Sequence, residues 1–316
     1  MGPVDPETTS TPPADRPEAP PESPAGPAGA VGSPVPFGDR LRAAMDAAGP
    51  LAVGIDPHPG LLAAWGLPDD PWGLERFALT CVEALGGAVA AVKPQSAFFE
   101  RHGSRGTAVL ERVLAELAAA GTLSVLDVKR GDVGSTMAAY AQAHLVDGAP
   151  LAADAVTLSP YLGLGSLRPA LDLAASTGRG AFVLALTSNP EGASVQHART
   201  QDGVAIAAAV AHGVARENAG ARQRGALGSV GLVVGATTGG AAARLGLDLD
   251  ATAAPLLAPG VGAQGAGPAD LAAVFGAARR QVLVTSSREV LSAGPRVADV
   301  RAAARDLAER CADALG

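Results

Sequence analysis

The chain contains almost no lysine: Lys93 and Lys129 are the only two, and the other 22 of its 24 lysine and arginine residues are arginines. A guanidinium stays protonated in proteins, whereas a lysine ammonium is a compact charge that can release its proton when its surroundings lower its pKa. Two lysines kept in an arginine-rich sequence therefore indicate positions where arginine will not serve. Both lie in apolar, strand-like segments near charged or polar residues, which favours proton-transfer chemistry.

Cysteines, long apolar runs and clustered basic residues are also scarce. Cys81 and Cys311 are isolated and form no CxxC pair, which argues against a disulfide framework or a thiolate metal site. A glycine or a charged residue interrupts every apolar stretch before it reaches the length of ~18 residues that a transmembrane helix needs, so we expect no membrane-spanning segment. The net charge of -7 with scattered arginines argues against nucleic-acid binding and favours a small-molecule substrate. The spacing of the five histidines does not match that of metal ligands, so no metal site is predicted from them. They are His58, His102, His144, His197 and His212.

The first 36 residues have a composition of their own. They hold 11 of the 25 prolines and no apolar run, so they cannot bury enough surface to offset the entropy of ordering. We predict a disordered, proline-rich tail over residues 1–36 and a folded domain over residues 37–316. The tail lacks the basic start and apolar core of a signal peptide, so a cytoplasmic location is expected.

Beyond the tail, short apolar runs alternate with alanine-rich stretches of helical period. The eight runs are Leu51 to Ile55, Ala88 to Lys93, Leu123 to Lys129, Ala155 to Leu158, Ala181 to Leu186, Val230 to Val234, Pro255 to Ala258 and Val282 to Thr285. Eight strands, each followed by a helix, predict an α/β protein with the (β/α)8 TIM-barrel fold. In that fold the chemistry lies at the C-terminal ends of the strands.

Charged residues at the ends of the second and third runs form the strongest candidate site. The strand period of two places Asp127 and Lys129 on one face, and Asp132 follows in the loop. Charges at the mouth of a barrel are costly unless they are paired, so a mutually neutralising network with Lys93 is predicted. A single Asp-x-Lys is more often a structural ion pair, but the second lysine and the phosphate-binding features below favour chemistry.

The segments after the seventh and eighth runs are typical of phosphate binding. A glycine-rich loop spans residues 258–265 and contains Gln264, and Arg288 follows the last strand. Backbone amides and a helix start after strands seven and eight form the recurrent phosphate site of TIM barrels, where an arginine can grip phosphate oxygens. The hydroxyls of Thr187 and Ser188 end the fifth strand, before a loop long enough to act as a lid.

Taken in order, these motifs resemble the orotidine 5'-phosphate decarboxylase family, in the subgroup found in many bacteria. The resemblance runs from about Phe37 to the C-terminal helix and rests on Gly54-Ile-Asp-Pro-His-Pro59, Val92-Lys-Pro-Gln-Ser-Ala-Phe-Phe-Glu100, Asp127-Val-Lys-Arg-Gly-Asp-Val-Gly-Ser-Thr136, Thr187-Ser-Asn-Pro190, Val234-Gly-Ala-Thr237, Pro259-Gly-Val-Gly-Ala-Gln-Gly265 and Ser286-Ser-Arg288. It implies decarboxylation of orotidine 5'-phosphate to UMP without a metal or other cofactor, by a homodimer.

The resemblance also implies a role for each site residue. Lys129 would protonate C6 of the pyrimidine, and Asp127 would crowd the departing carboxylate. Asp132 of the partner subunit would keep Lys129 charged, and Thr136 of that subunit would approach the nucleotide. Lys93 and Asp56 would bind the ribose hydroxyls, and Ser188 would contact the amide edge of the pyrimidine. Gln264 and Arg288 would bind the phosphate.

Two other functions stay open. A magnesium-dependent sugar-phosphate decarboxylase or synthase would keep the barrel and the Asp-x-Lys-x-x-Asp element, but it needs a further acidic ligand where this chain has Lys93-Pro-Gln95. A catalytically silent nucleotide-binding barrel would keep the pocket without turnover. Intact Lys93, Asp127, Lys129 and Asp132 argue against that second alternative.

Overall fold

Eight parallel strands form a closed barrel in the order β1 to β8, and β8 pairs with β1. In this computed structural model of the chain, the described residues are 2, 34–261 and 267–316. The strands are β1 (Leu51–Ile55), β2 (Ala91–Pro94), β3 (Leu123–Arg130), β4 (Ala155–Leu158), β5 (Gly180–Leu186), β6 (Val230–Val234), β7 (Leu256–Pro259) and β8 (Val282–Ser286). The predicted TIM barrel is confirmed.

Helices follow the strands and surround the barrel. They are α1 (Phe37–Ala48), α2 (Pro59–Ala64), α3 (Pro71–Leu85), α4 (Ser96–Glu100), α5 (Gly103–Ala119), α6 (Gly134–Leu145), α7 (Arg168–Ser176), α8 (Ala193–Gln196), α9 (Ile206–Glu217), α10 (Ala219–Gln223), α11 (Ala241–Arg244), α12 (Pro268–Phe275), α13 (Arg288–Leu291) and α14 (Val297–Leu315), with 3-10 turns at Leu164–Leu167, Pro190–Gly192, Asp250–Thr252 and Gly276–Gln281. In the described part of the chain, no helix is both long and apolar enough to cross a bilayer.

The predicted tail lies almost wholly outside the described residues, so the proposed boundary at residue 36 stays a prediction. Residues 34–316 form one compact unit, and its first helix, α1, begins at Phe37. The eight strand-helix repeats did not include α1. This helix packs its buried residues Phe37, Leu41 and Met45 against apolar residues at the barrel floor.

The barrel floor is filled by aromatic rings that need glycine beside them. The rings of Phe37 and Phe182 meet edge to face with centroids 5.9 Å apart. A Cβ atom at Gly231 would overlap the ring of Phe182, and one at Gly180 would overlap that of Phe37. This packing closes the N-terminal end of the barrel, so an internal cavity can open only toward the C-terminal ends of the strands.

Candidate active site

A cavity of about 540 Å³ occupies the C-terminal mouth of the barrel. Each of the eight strands, or the residue after it, contributes to its lining. Lys93, Asp127, Lys129, Asp56 and Arg288 all face this cavity, as the strand-end pattern predicted. The barrel thus brings together charged residues that are far apart in the sequence.

Asp127 is the centre of a charged cluster in this cavity. Its Oδ1 accepts a hydrogen bond from Nζ of Lys129 at 2.6 Å, and its Oδ2 accepts one from Nζ of Lys93 at 3.2 Å. Nζ of Lys93 also lies 3.2 Å from Oε1 of Gln95 and 3.9 Å from Oδ1 of Asp56. Two ammonium groups and two carboxylates therefore alternate along one wall, as the predicted network requires, but without Asp132.

The two lysines of this cluster differ in burial. The side chain of Lys93 is 9% exposed, whereas that of Lys129 is 47% exposed and reaches into the cavity. Lys93 is held from three sides by oxygen atoms, while Lys129 has one carboxylate partner among the described residues. Lys129 is thus the more accessible of the two ammonium groups that line the cavity.

For Lys93 and Asp127, the effect of charge pairing on the pKa outweighs the effect of burial. Burial alone would lower the pKa of Lys93, but the carboxylates of Asp56 and Asp127 raise it above its ordinary value. Burial acts to raise the pKa of Asp127, yet the ammonium groups of Lys93 and Lys129, together with hydrogen bonds from Lys129 and Thr157, lower it to about 2. Asp127 is therefore ionised at neutral pH.

The backbone departs from the strict strand alternation that predicted this cluster. Lys129 has a φ of 45°, in the left-handed region that non-glycine residues rarely adopt. The register of β3 against β4 shifts between Leu126 and Arg130, which marks a bulge. The pairing of Asp127 with Lys129 was predicted correctly, but it depends on this bulge and not on a regular strand.

The predicted phosphate region is only partly described. Arg288 begins α13 and lines the cavity with Ser286 and Ser287, and Gly260, which follows the neighbouring strand β7, also lines it. The guanidinium of Arg288 forms no ion pair with any described residue. Gln264 lies outside the described residues, so its placement stays a prediction.

At the end of β5, one of the two predicted hydroxyl residues lines the cavity. Thr187 and Asn189 line the cavity, whereas Ser188 between them is exposed and does not. Gln196 in α8 accepts a hydrogen bond from the backbone N–H of Thr187 at 2.9 Å and donates one to its hydroxyl at 2.7 Å. Gln196 also lines the cavity and was not predicted, because a single glutamine in a polar loop carries no sequence signature.

Asp132 and Thr136 lie outside the cavity of their own chain. Asp132 accepts a hydrogen bond from the backbone N–H of Val133 at 2.8 Å, and Thr136 is exposed on α6. Neither residue lines the cavity. The side chains of Val133 and of Tyr161, in the next loop, are 56% and 78% exposed. In a single chain, the third acidic member of the predicted network is thus separate from the other residues.

Comparison with known proteins agrees with this geometry. The sequence model of the family described as orotidine 5'-phosphate decarboxylase / HUMPS matches residues 49–303. A curated orotidine 5'-phosphate decarboxylase from Salinispora arenicola is 62% identical over 279 residues, which span 88% of this chain and 98% of the relative. A Streptomyces avermitilis crystal structure assigned to the same activity is similar with a TM-score of 0.86 and 58% identity, covering 92% of this chain and 99% of that one. The OMP decarboxylase of Leishmania donovani gives a TM-score of 0.69 and 32% identity over 89% of this chain and 99% of its own. The chain belongs to the orotidine 5'-phosphate decarboxylase / HUMPS family.

Proposed function

We propose that this protein decarboxylates orotidine 5'-phosphate to UMP and CO2, a step of pyrimidine nucleotide synthesis. The observation that carries the proposal is the Lys93–Asp127–Lys129 cluster at the mouth of the barrel, in a chain of this family. The reaction leaves an electron pair on C6 of the pyrimidine, and a charge array already in place is most valuable where such charge develops.

Lys129 is the proton donor in this proposal. The bond between C6 and the carboxylate carbon breaks, CO2 departs, and the electron pair left on C6 takes a proton from Nζ of Lys129. The resulting neutral amine regains a proton from solvent. Nζ of Lys129 is suited to this step because it is held 2.6 Å from Asp127 yet faces the open cavity.

Asp127 and Lys93 prepare the site for that transfer. An ionised Asp127 repels the substrate carboxylate in the ground state, and the repulsion ends when CO2 leaves. Lys93 keeps Asp127 ionised and, with Asp56, binds the ribose hydroxyls. The slowest reactions require about 20 kcal/mol of transition-state stabilisation, so the charges alone are insufficient and remote binding must contribute.

The phosphate supplies that remote binding. Arg288 and Gln264 grip it, and Ser188 meets the pyrimidine amide edge once the loop after β5 moves over the substrate. Ser188 is exposed and does not line the cavity here, so this role requires the loop to rearrange on binding.

Asp132 and Thr136 act across a homodimer interface. Both lie outside the cavity of their own chain, and exposed apolar side chains of Val133, Tyr161 and Leu162 lie in the same two loops. These two loops are in contact: the backbone of Gly131 lies so close to the carbonyl oxygen of Ser159 that a Cβ atom at residue 131 would overlap it. A second copy covering this surface would bury the apolar side chains and bring Asp132 to Lys129 of its partner.

The activity is tested by following the loss of orotidylate absorbance with purified protein in EDTA, beside Lys129→Ala. We expect turnover in the wild type and its collapse in the variant. No turnover of orotidylate by either folded protein would refute the proposal and favour the magnesium-dependent sugar-phosphate alternative, and tight UMP binding with no turnover would favour the silent barrel. We also propose a cytoplasmic location, in keeping with the proposed role in pyrimidine nucleotide synthesis.

The shared site is tested by mixing two inactive variants, Lys129→Ala and Asp132→Ala. A mixed dimer has one site with both native residues, so random exchange of subunits should restore about a quarter of the wild-type sites. Activity that stays absent after exchange, verified by mass analysis of the dimers, would place Asp132 in the site of its own chain. Lys129→Ala mixed with Lys129→Met is the matched control and should remain inactive.

A further inference from the structure

Thr157 lies at the one point where the active-site strand β3 and its neighbour β4 lose their regular pairing. The two strands pair at Leu126 with Val156 and again at Arg130 with Leu158. Three residues of β3 therefore face the single residue Thr157, which is 1% exposed and lines the cavity wall. The bulge contains both Asp127 and Lys129.

The hydroxyl of Thr157 connects the two functional residues of this bulge. Its oxygen accepts a hydrogen bond from the backbone N–H of Lys129 at 2.9 Å, so this side chain takes the place of a partner on the neighbouring strand. Its one proton is donated to Oδ1 of Asp127 at 2.8 Å. Oδ1 is the same oxygen that accepts from Nζ of Lys129, so one hydroxyl fixes both the backbone and the partner of that lysine.

The left-handed backbone at Lys129 makes this support necessary. A φ of 45° is unfavourable for lysine and persists only where surrounding contacts hold it. The conformation bends the chain so that Nζ of Lys129 returns to Asp127 two residues earlier. Without the hydroxyl, the N–H would lose its acceptor and the carboxylate would lose a donor, and both could shift.

We propose that Thr157 is a positioning residue for the decarboxylation: it holds the β3 bulge in the conformation that aims Lys129 at the substrate and fixes the carboxylate of Asp127 beside it. The inference rests on the proposed function, because the reaction supplies its readout. Thr157 itself need not touch the substrate.

Thr157→Ala removes both hydrogen bonds and tests this role. A displacement of about 1 Å at a reacting group can cost about 100-fold in rate, so we expect kcat to fall about 10- to 100-fold with KM changed less than about threefold. Thr157→Ser keeps the hydroxyl and should retain most of kcat. The acid limb of the kcat profile should move to higher pH in Thr157→Ala, because the lost hydrogen bond helps to lower the pKa of Asp127.

Thr252 provides a matched control far from the cavity. It is also buried, and its hydroxyl also makes two hydrogen bonds, to the carbonyl of Leu249 and from the N–H of Ala254. Thr252→Ala should lower thermal stability and leave kcat unchanged. If Thr157→Ala does not fold, the isosteric Thr157→Val replaces it.

Three results would overturn the role of Thr157. They are an unchanged kcat in the alanine or valine variant, a loss expressed wholly in KM, and a folded serine variant as slow as the alanine variant. Wild-type protein in the same assay separates the two proposals: if it does not turn over, the proposed function fails, and if it does, any of these results refutes the positioning role alone.

Discussion

Replacing each lysine by methionine should have two different effects on stability. Lys93→Met removes an ammonium that is 9% exposed and leaves the carboxylates of Asp127 and Asp56 without it. Lys129→Met removes one that is 47% exposed, and Asp127 keeps its bond to Lys93. Methionine has nearly the same length and leaves no large cavity, so the comparison isolates the charge.

The expected magnitudes follow from burial. Breaking a buried ion pair by removing one partner costs about 3–5 kcal/mol, because the remaining charge has lost its compensation. Asp127 retains Lys129, so we expect the lower value, about 3 kcal/mol, for Lys93→Met. A half-exposed pair contributes about 0–1 kcal/mol, which is the expected loss for Lys129→Met. Both variants should lose turnover.

Equilibrium unfolding in urea at neutral pH, followed by circular dichroism, measures these losses. The double variant Lys93→Met/Asp127→Asn is the control: once Asp127 is neutral, the cost of removing Lys93 should fall by at least half. Equal losses for the two single variants, or a double variant that falls below Asp127→Asn alone by as much as Lys93→Met falls below the wild type, would refute the assignment of the buried charge to Asp127 and Lys93.

Three further predictions concern Asp127, the phosphate and the barrel floor. The pKa of Asp127 in the folded state, about 2, lies below its unfolded value of 3.8, so its contribution to stability is complete above about pH 5 and is lost as the pH falls toward 2. In urea unfolding measured between about pH 5 and about pH 2, the free energy of unfolding should therefore fall less steeply with pH for Asp127→Asn than for the wild type. Parallel plots of the free energy of unfolding against pH would contradict this. Arg288→Ala should lower kcat/KM about 100-fold on orotidine 5'-phosphate but little on phosphate-free orotidine, and equal losses on both would show that Arg288 does not bind the phosphate. Gly231→Ala should lower the free energy of unfolding by about 1–3 kcal/mol in the same urea assay, because the new methyl would overlap the ring of Phe182, and an unchanged value would show that the floor can rearrange.

The strands could be predicted well where their apolar runs are bounded by breaking residues. The predicted bounds of β1, β4 and β6 agree with the structure at both ends. The helix α1 was missed because its role depends on the closed barrel: Phe37, Leu41 and Met45 cover the floor, which exists only once all eight strands have paired. Local periodicity contains no information about that surface.

The charged residues of the site could be predicted because their chemistry is visible in the sequence. Lys93, Asp127 and Lys129 are charges at strand ends, which need partners wherever they are buried. Thr157 was missed for the opposite reason, since one threonine in an apolar run is an ordinary strand residue. Its importance comes from the register of β4 against the β3 bulge, which is a property of the pairing between two strands.

The scarcity of lysine now has a separate explanation at each position. The ammonium of Lys93 lies within 3.9 Å of oxygen atoms of Asp127, Gln95 and Asp56, an arrangement that suits a compact point charge. Its pKa is raised, so it holds its proton and is a poor donor. Lys129 is paired on one side and open to the cavity on the other. In the reaction that we propose, the proton-transfer role that the composition suggested for both lysines is therefore assigned to Lys129, and Lys93 keeps Asp127 ionised beside it.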